Sequence, residues 1–151
     1  MHFAAKRSII VPAPNGYFLY CITTVMIVKK ISAREGLFSM LTNYHTHTTR
    51  CGHAEGTEEE YILTALRCGY KVLGFSDHTP WAYATPGFVS HIRMLPAQLD
   101  DYVLTLRSLR EKYADRLHLH IGLEAEYFPA YLGWLKEETE RLGIEYLILG
   151  C

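Results

Sequence analysis

Histidine and carboxylate side chains stand directly after three apolar segments of this sequence. His45 and His47 follow the first segment, Asp77 and His78 follow the second, and Glu124 follows the third. Alternate residues of an extended chain share one side, so His45 and His47 can face the same ion. Imidazole nitrogen combined with carboxylate oxygen suits Zn, Mn or Fe. The residue types and their spacing therefore predict a site for a divalent metal.

Three further side chains near these segments leave alternatives open. His53 lies six residues after His47, in a turn with Gly52. Glu126 is an alternative carboxylate ligand, although Glu124 fits the end of its strand better. Asp77 is either a ligand itself or a carboxylate that orients a ligand from behind.

The elements that must position these residues alternate between strands and helices after Met40. Apolar periodicity predicts strands over 41–44, 71–76, 117–123 and 145–149, and helices over 98–113 and 131–142. A further helix begins after the Thr57 cap and ends at Gly69. This βαβαβαβ order implies an α/β fold with parallel strands and right-handed crossovers, either an open sheet or part of a barrel. In such folds the chemistry collects at the carboxyl ends of the strands.

Composition indicates a protein with a substantial core and no strongly charged partner. The chain has 151 residues, 49% of them hydrophobic, and a formal net charge of −1. This balance gives no electrostatic case for nucleic acid or an anionic membrane as partner. The four cysteines are scattered and form no disulfide framework, which favours a reducing, cytoplasmic location.

The near-neutral total hides two different parts. Residues 1–39 carry five basic residues and one acidic residue, whereas residues 40–151 carry ten basic and fifteen acidic residues. An apolar run at 17–28 is too short for a membrane span, which needs about 20 residues. We interpret 1–39 as an extension, poorly ordered or outside the working protein, and favour Met40 over Met26 as an alternative start. A secretory signal is the competing interpretation, because Lys6 and Arg7 precede the apolar run.

Three segments together resemble the PHP (polymerase and histidinol phosphatase) family of metal-dependent phosphoesterases. They are NYHTHTTRCGHAEGTEEEY (43–61), GFSDHTPW (74–81) and GLEAEYFP (122–129). The resemblance covers residues 40–150, and the nearest branch is the PHP-type histidinol phosphatase. It implies a distorted (β/α)7 TIM-like barrel with up to three divalent metals at the strand ends. The ligand positions that it carries over to this sequence are His45, His47, His53, His78 and Glu124.

The same resemblance predicts that the barrel is incomplete. The family takes further ligands from its second half, and a full barrel needs about 250 residues. Residues 40–151 number only 112. We therefore expect an amino-terminal half of the barrel, arising as a fragment or from a disrupted reading frame, that is inactive without the missing half.

The implied reaction is the hydrolysis of a small phosphomonoester. A phosphoric monoester hydrolase of this branch converts histidinol phosphate and water to histidinol and phosphate in histidine biosynthesis, by attack of a metal-activated hydroxide. Arg93 and Arg50 are candidate contacts to the substrate phosphate, with an ordinary surface arginine as the competing interpretation of each.

Two other functions compete with this one. Another PHP phosphoesterase, a nucleotidase or a 3′–5′ exonuclease, would share the metal ligands. The acidic balance of residues 40–151 argues against a nucleic-acid groove. The second is a truncated product without catalysis, whose unpaired strand edges would promote aggregation.

Overall fold

The structure is a computed structural model. It describes residues 42–52, 54–85 and 87–150, together with the backbone of residues 9–12 and 18–21.

One sheet of six strands organises the described residues. The strands are β1 Ile9–Pro12, β2 Phe18–Cys21, β3 Thr42–Asn43, β4 Val72–Phe75, β5 His118–Ala125 and β6 Tyr146–Leu149. Their order across the sheet is β1-β2-β6-β5-β4-β3. Neighbouring strands from β3 to β6 are parallel. β2 also pairs in parallel with β6, and β1 is antiparallel to β2. The predicted α/β class with parallel strands is therefore confirmed.

Three helices form the crossovers between the parallel strands. They are α1 Glu58–Arg67, α2 Leu99–Lys112 and α3 Leu132–Leu142. α1 begins at a capping box, in which the Thr57 hydroxyl accepts from the Glu60 backbone N–H and the Glu60 carboxylate accepts from the Thr57 backbone N–H. α3 ends at Gly143, whose φ of 58° is a left-handed conformation that glycine adopts without strain.

The main hydrophobic core lies between these helices and the sheet. Alternation along β5 places Leu119, Ile121 and Leu123 in this core. Gly122 and Glu124 therefore face the opposite side of the sheet. The largest fully buried side chains of the core include Tyr102, Phe75, Ile62, Leu99 and Leu106.

The observed boundaries of the predicted elements differ from the sequence-based ones by a few residues. The largest difference is at β5, which was predicted to end at Leu123 and runs to Ala125. The strand continues because Glu124 and Ala125 still pair with Ile148 and Leu149 of β6. β1 and β2 were not predicted. The interpretation of 1–39 as an extension stays a prediction, and most of that segment lies outside the described residues.

The helices of the described part of the chain are too short or too polar to cross a membrane.

The ring of Tyr146 lies across two glycines on the face of the sheet opposite the helices. A Cβ atom added to Gly122 would stand 2.6 Å from Cε2 of Tyr146, and one added to Gly74 would also collide with this ring. Both glycines therefore serve close packing rather than an unusual backbone angle.

We expect Gly122→Ala to lower the free energy of unfolding by about 1–3 kcal/mol, because the new methyl group displaces the Tyr146 ring. Gly133→Ala in α3 is the matched control, since nothing lies within 4 Å of its added Cβ. Alanine favours a helix over glycine, so the control should gain up to about 1 kcal/mol. Urea unfolding followed by circular dichroism measures both, and equal stability of Gly122→Ala and the wild type would contradict the packing.

Candidate metal centre

The first arm of the site is the extended segment that follows β3. Its backbone is held against β4 through the Ser76 N–H, which donates to the Thr46 carbonyl at 2.9 Å. The Asn43 side-chain oxygen accepts from the His45 N–H at 3.0 Å, and the Asn43 amide donates to the Thr46 hydroxyl. Extended geometry then places the rings of His45 and His47 on one side, with centroids 4.9 Å apart.

The second arm follows β4 and is locked to β5 by its backbone. The Glu124 N–H donates to the Asp77 carbonyl at 3.0 Å, and the Thr79 N–H donates to the Glu124 carbonyl at 2.8 Å. The two bonds form a parallel bridge between His78 and Glu124. The His78 ring thereby comes to lie 4.7 Å from the His47 ring, measured between centroids.

Glu124 completes the convergence of the three strand ends. Its Oε2 lies 3.0 Å from Nε2 of His45 and 3.0 Å from Nε2 of His47, and these two nitrogens are 2.9 Å apart. Nδ1 of His78 is 3.6 Å from the same oxygen. The four side chains are 13–18% exposed, so the cluster is largely shielded but open to solvent on one side.

The triangle of two nitrogens and one oxygen has the dimensions of a ligand set. Ligands about 2.1 Å from one ion and at right angles to one another stand roughly 3 Å apart. His45, His47 and Glu124 therefore fit a shared divalent cation in donor type and in spacing. Among the described residues, a second group whose ligand atoms lie within 4.8 Å of one another consists of His47, Cys51 and Asp77.

The electrostatic environment sets the charges of Glu124 and His78. Burial by itself raises the pKa of Glu124, but hydrogen bonds from His45 and His47 outweigh it, so the pKa lies well below 4.5. Burial lowers the pKa of His78 from 6.5 to about 4, although the Glu124 carboxylate opposes that shift. Glu124 is thus charged and His78 neutral at pH 7, and a neutral imidazole has a free lone pair for a metal.

Asp77 lies behind the first arm. It is fully buried, and its carboxylate accepts from the Thr48 N–H at 2.8 Å and from the Thr48 hydroxyl at 2.6 Å. Its Oδ1 is 4.0 Å from Nδ1 of His47. Thr48 was not among the predicted site residues, because its side chain is not a typical metal ligand and its bond to Asp77 joins residues 29 positions apart.

Arg93 and Glu126 form an ion pair beside the cluster. The Arg93 guanidinium donates to Oε1 of Glu126 at 2.5 Å and to the Thr79 carbonyl at 3.4 Å. Trp81 donates its indole N–H to the other Glu126 oxygen at 2.9 Å. Burial by itself raises the pKa of Glu126, but the hydrogen bonds from Arg93 and Trp81 outweigh that effect. The pKa is therefore lowered, and Glu126 is ionised at neutral pH. Its Oε1 is 3.9 Å from Nδ1 of His78, at the border of the cluster.

Of the other two predicted site residues, Arg50 lies apart from the cluster and His53 is not among the described residues. The Arg50 guanidinium donates to Glu58 at 2.6 Å, to Asp101 at 2.7 Å and to Thr105 at 3.2 Å, which ties the first arm to α1 and α2. The structure thus brings together four of the five predicted ligands, and their assignment as ligands stays a prediction.

Comparison with known proteins yields one family and a set of related phosphatases. The PHP domain family matches residues 43–149. A probable histidinol-phosphatase of Deinococcus radiodurans is 34% identical over 111 residues, which are 72% of this chain and 40% of that protein. A probable histidinol-phosphatase of Schizosaccharomyces pombe is 29% identical over 110 residues, 69% of this chain and 36% of that protein.

Two solved structures share the fold. A putative histidinol phosphatase of Listeria monocytogenes superposes with a TM-score of 0.59 at 27% identity, over 72% of this chain and 43% of that one. Histidinol phosphate phosphatase of Lactococcus lactis, in complex with zinc, L-histidinol and phosphate, superposes with a TM-score of 0.57 at 18% identity, over 72% and 38%. The chain therefore spans about two fifths of the length of these relatives.

The lowered pKa of His78 predicts a loss of stability in acid for the metal-free chain. The unfolded chain binds a proton at His78 near pH 6.5 and the folded chain only near pH 4, so the stabilising contribution is present above pH 6.5 and is lost as the pH falls toward 4. Between pH 7 and pH 5 this loss amounts to about 2 kcal/mol.

Urea unfolding at pH 7, 6 and 5 in the presence of a chelator measures this dependence. His78→Gln should flatten it by roughly the stated amount. His91→Gln, at an exposed loop histidine, is the matched control and should keep the wild-type dependence. An unchanged slope in His78→Gln would contradict the assigned environment of His78.

Proposed function

This chain belongs to the PHP domain family, and on that premise we propose that it carries a metal centre for the hydrolysis of a phosphomonoester, histidinol phosphate. One observation carries the proposal: the triangle of Nε2 of His45, Nε2 of His47 and Oε2 of Glu124, with sides of 2.9–3.0 Å. The three atoms are of ligand type and converge on one point at the spacing that a shared divalent cation requires.

Each side chain of the cluster has a distinct task in this proposal. His45, His47 and Glu124 hold a divalent metal, Zn, Mn or Fe, and His78 provides a further neutral nitrogen on the other arm. His53 is the fifth proposed ligand. When bound, the metal supplies Lewis acidity toward phosphoryl oxygens and lowers the pKa of water.

Asp77 is proposed to orient His47 rather than to bind the metal. Both of its oxygens already accept bonds from Thr48, and its charge stands 4.0 Å from Nδ1 of His47. A negative charge on that side favours a proton on Nδ1 and leaves Nε2 as the ligand atom. The Thr48 bonds also fix the backbone immediately after the ligand.

Arg93 is the better placed of the two arginines for a substrate phosphate. Its pairing with Glu126 puts it at the border of the cluster, next to His78. Arg50 uses its guanidinium on Glu58, Asp101 and Thr105 instead. We therefore assign the phosphate contact to Arg93 and a role in holding the first arm to Arg50.

The sheet is proposed to be the amino-terminal part of a TIM-like barrel. The chain covers 43% and 38% of the two solved structures, and the helices lie on one face of its parallel strands as they do in such barrels. Residues 40–151 are the proposed phosphoesterase portion. The predicted need for a second half of the barrel remains part of this proposal.

A small substrate is favoured over nucleic acid by the charge of the domain. Residues 40–151 hold fifteen acidic and ten basic residues, whereas a groove for phosphate backbones needs a basic surface. The Lactococcus lactis relative, solved with zinc, L-histidinol and phosphate, supports the same class of substrate.

The choice between the two carboxylates can be tested by metal loading. After dialysis against Zn and removal of the excess, Glu124→Gln should retain much less metal than the wild type, because the amide replaces the charged ligand oxygen. Glu126→Gln is the matched control on the same strand end and should keep the wild-type stoichiometry. Elemental analysis measures both, and the reverse result would assign the ligand to Glu126.

The substrate class is tested with the metal-loaded full chain. We expect histidinol phosphate to bind more tightly than AMP or a single-stranded oligonucleotide in isothermal titration, and Glu124→Gln to lose this difference. Preference for the nucleotide or the oligonucleotide would favour the alternative phosphoesterase instead. Release of phosphate by the chain alone would contradict the predicted need for the second half of the barrel.

A further inference from the structure

One tyrosine of β6 reaches both arms of the site through its hydroxyl group. The Tyr146 hydroxyl lies 2.7 Å from the Tyr44 carbonyl and 2.9 Å from the Phe75 carbonyl. Tyr44 immediately precedes His45, and Phe75 ends β4 just before the second arm. The single proton of this phenol is thus shared between the bases of the two arms that carry the histidines.

The ring reaches these carbonyls only because the sheet leaves room for it. Starting from β6, the side chain crosses β5 at Gly122 and reaches β4 at Gly74, where any Cβ would collide with it. The ring of Tyr44 packs against it edge-on, with centroids 5.5 Å apart. Tyr146 is 6% exposed, so its two hydrogen bonds lie in a largely buried setting, where such bonds are electrostatically stronger than in water.

Besides Tyr146, a short ladder before the histidines and three hydrogen bonds at Thr46 and Thr48 join the first arm to the second. β3 consists of only two residues and pairs with β4 through Thr42 and Asn43 alone. Beyond that ladder, the Ser76 N–H donates to the Thr46 carbonyl, and the N–H and hydroxyl of Thr48 donate to the Asp77 carboxylate. A metal site needs its ligands held within about 0.5 Å of their places. The Tyr146 hydroxyl supplies the bond at Tyr44, which holds the backbone directly before His45.

We propose that Tyr146 is a positioning residue of the metal centre. Its hydroxyl sets the separation of the arm bearing His45 and His47 from the arm bearing His78, without touching the metal or a substrate. This inference rests on the proposed metal centre, and it assigns the geometry of that centre to a residue on a strand that contributes none of the predicted ligands.

Cobalt binding to the full chain tests the proposal, because the visible spectrum of bound Co²⁺ reports ligand geometry independently of activity. Tyr146→Phe removes the hydroxyl and keeps the ring. We expect a shifted or weakened Co²⁺ band and roughly 10-fold or more weaker Co²⁺ and Zn²⁺ binding.

Tyr113→Phe is the matched control for the loss of a phenol hydroxyl. Tyr113 is also 6% exposed, but its hydroxyl donates to Glu59 at 2.5 Å, on α1 and not on either arm. It should lower the melting temperature while leaving the Co²⁺ spectrum and the metal affinity unchanged.

Gly74→Ala provides a second variant, because its methyl group displaces the Tyr146 hydroxyl without removing it. The same methyl group would stand 3.0 Å from Cδ1 of Tyr44. It should show the same spectral change. If either variant is unfolded in buffer, the titration is made in trimethylamine N-oxide, which favours the folded state. A folded Tyr146→Phe chain with the wild-type spectrum and affinity would overturn the positioning role.

The outcomes separate this inference from the function on which it rests. If the wild-type chain binds Co²⁺ and Tyr146→Phe binds it equally well, only the role of Tyr146 fails. If the wild-type chain binds no Co²⁺, the proposed metal centre fails and the positioning role fails with it.

Discussion

The arrangement of this sheet depends on how a half-buried carboxylate is accommodated. Glu124 stands near the carboxyl end of β5, with three imidazoles around one of its oxygens. Removing a carboxylate from water is costly unless donors or a cation replace the lost hydration. Those donors come from the segments that follow β3 and β4, so both segments must reach the level of Glu124 on β5. Parallel pairing in consecutive order is the arrangement that brings these ends together.

The two faces of the sheet divide stability and chemistry between them. The face toward the helices packs aliphatic and aromatic side chains such as Ile121 and Leu106 into a continuous core. The opposite face carries Gly74, Gly122 and the Tyr146 ring, and the polar cluster lies at the carboxyl ends of the strands. Successive side chains of a strand point to opposite faces, so each strand contributes apolar side chains to the core on one face and other side chains to the opposite face. Substitutions on the core face act on the cluster only through the backbone.

The sequence allowed the order of elements and the composition of the cluster to be predicted for physical reasons. Thr57 and Gly143 act locally, so the limits of α1 and α3 follow from their neighbours. The strand ends converge in any parallel sheet, which made His45 and Glu124 foreseeable as neighbours. The end of β5 was predicted two residues too early, at Leu123. Glu124 and Ala125 continue the strand through backbone hydrogen bonds to β6, and the pattern of polar and apolar side chains does not indicate those bonds.

What escaped prediction depends on contacts between distant parts of the chain. Tyr146 belongs to an apolar run that is typical of a buried strand, and nothing nearby indicates that its hydroxyl reaches Tyr44, 102 residues earlier. That same contact has a kinetic consequence. The segment 45–47 leaves the ribosome long before β6 exists, and long-range contacts of this kind form late in folding. In the proposed metal centre, His45 and His47 would therefore meet a metal before their separation from His78 is set, and the proposed geometry would arise only after β6 has docked.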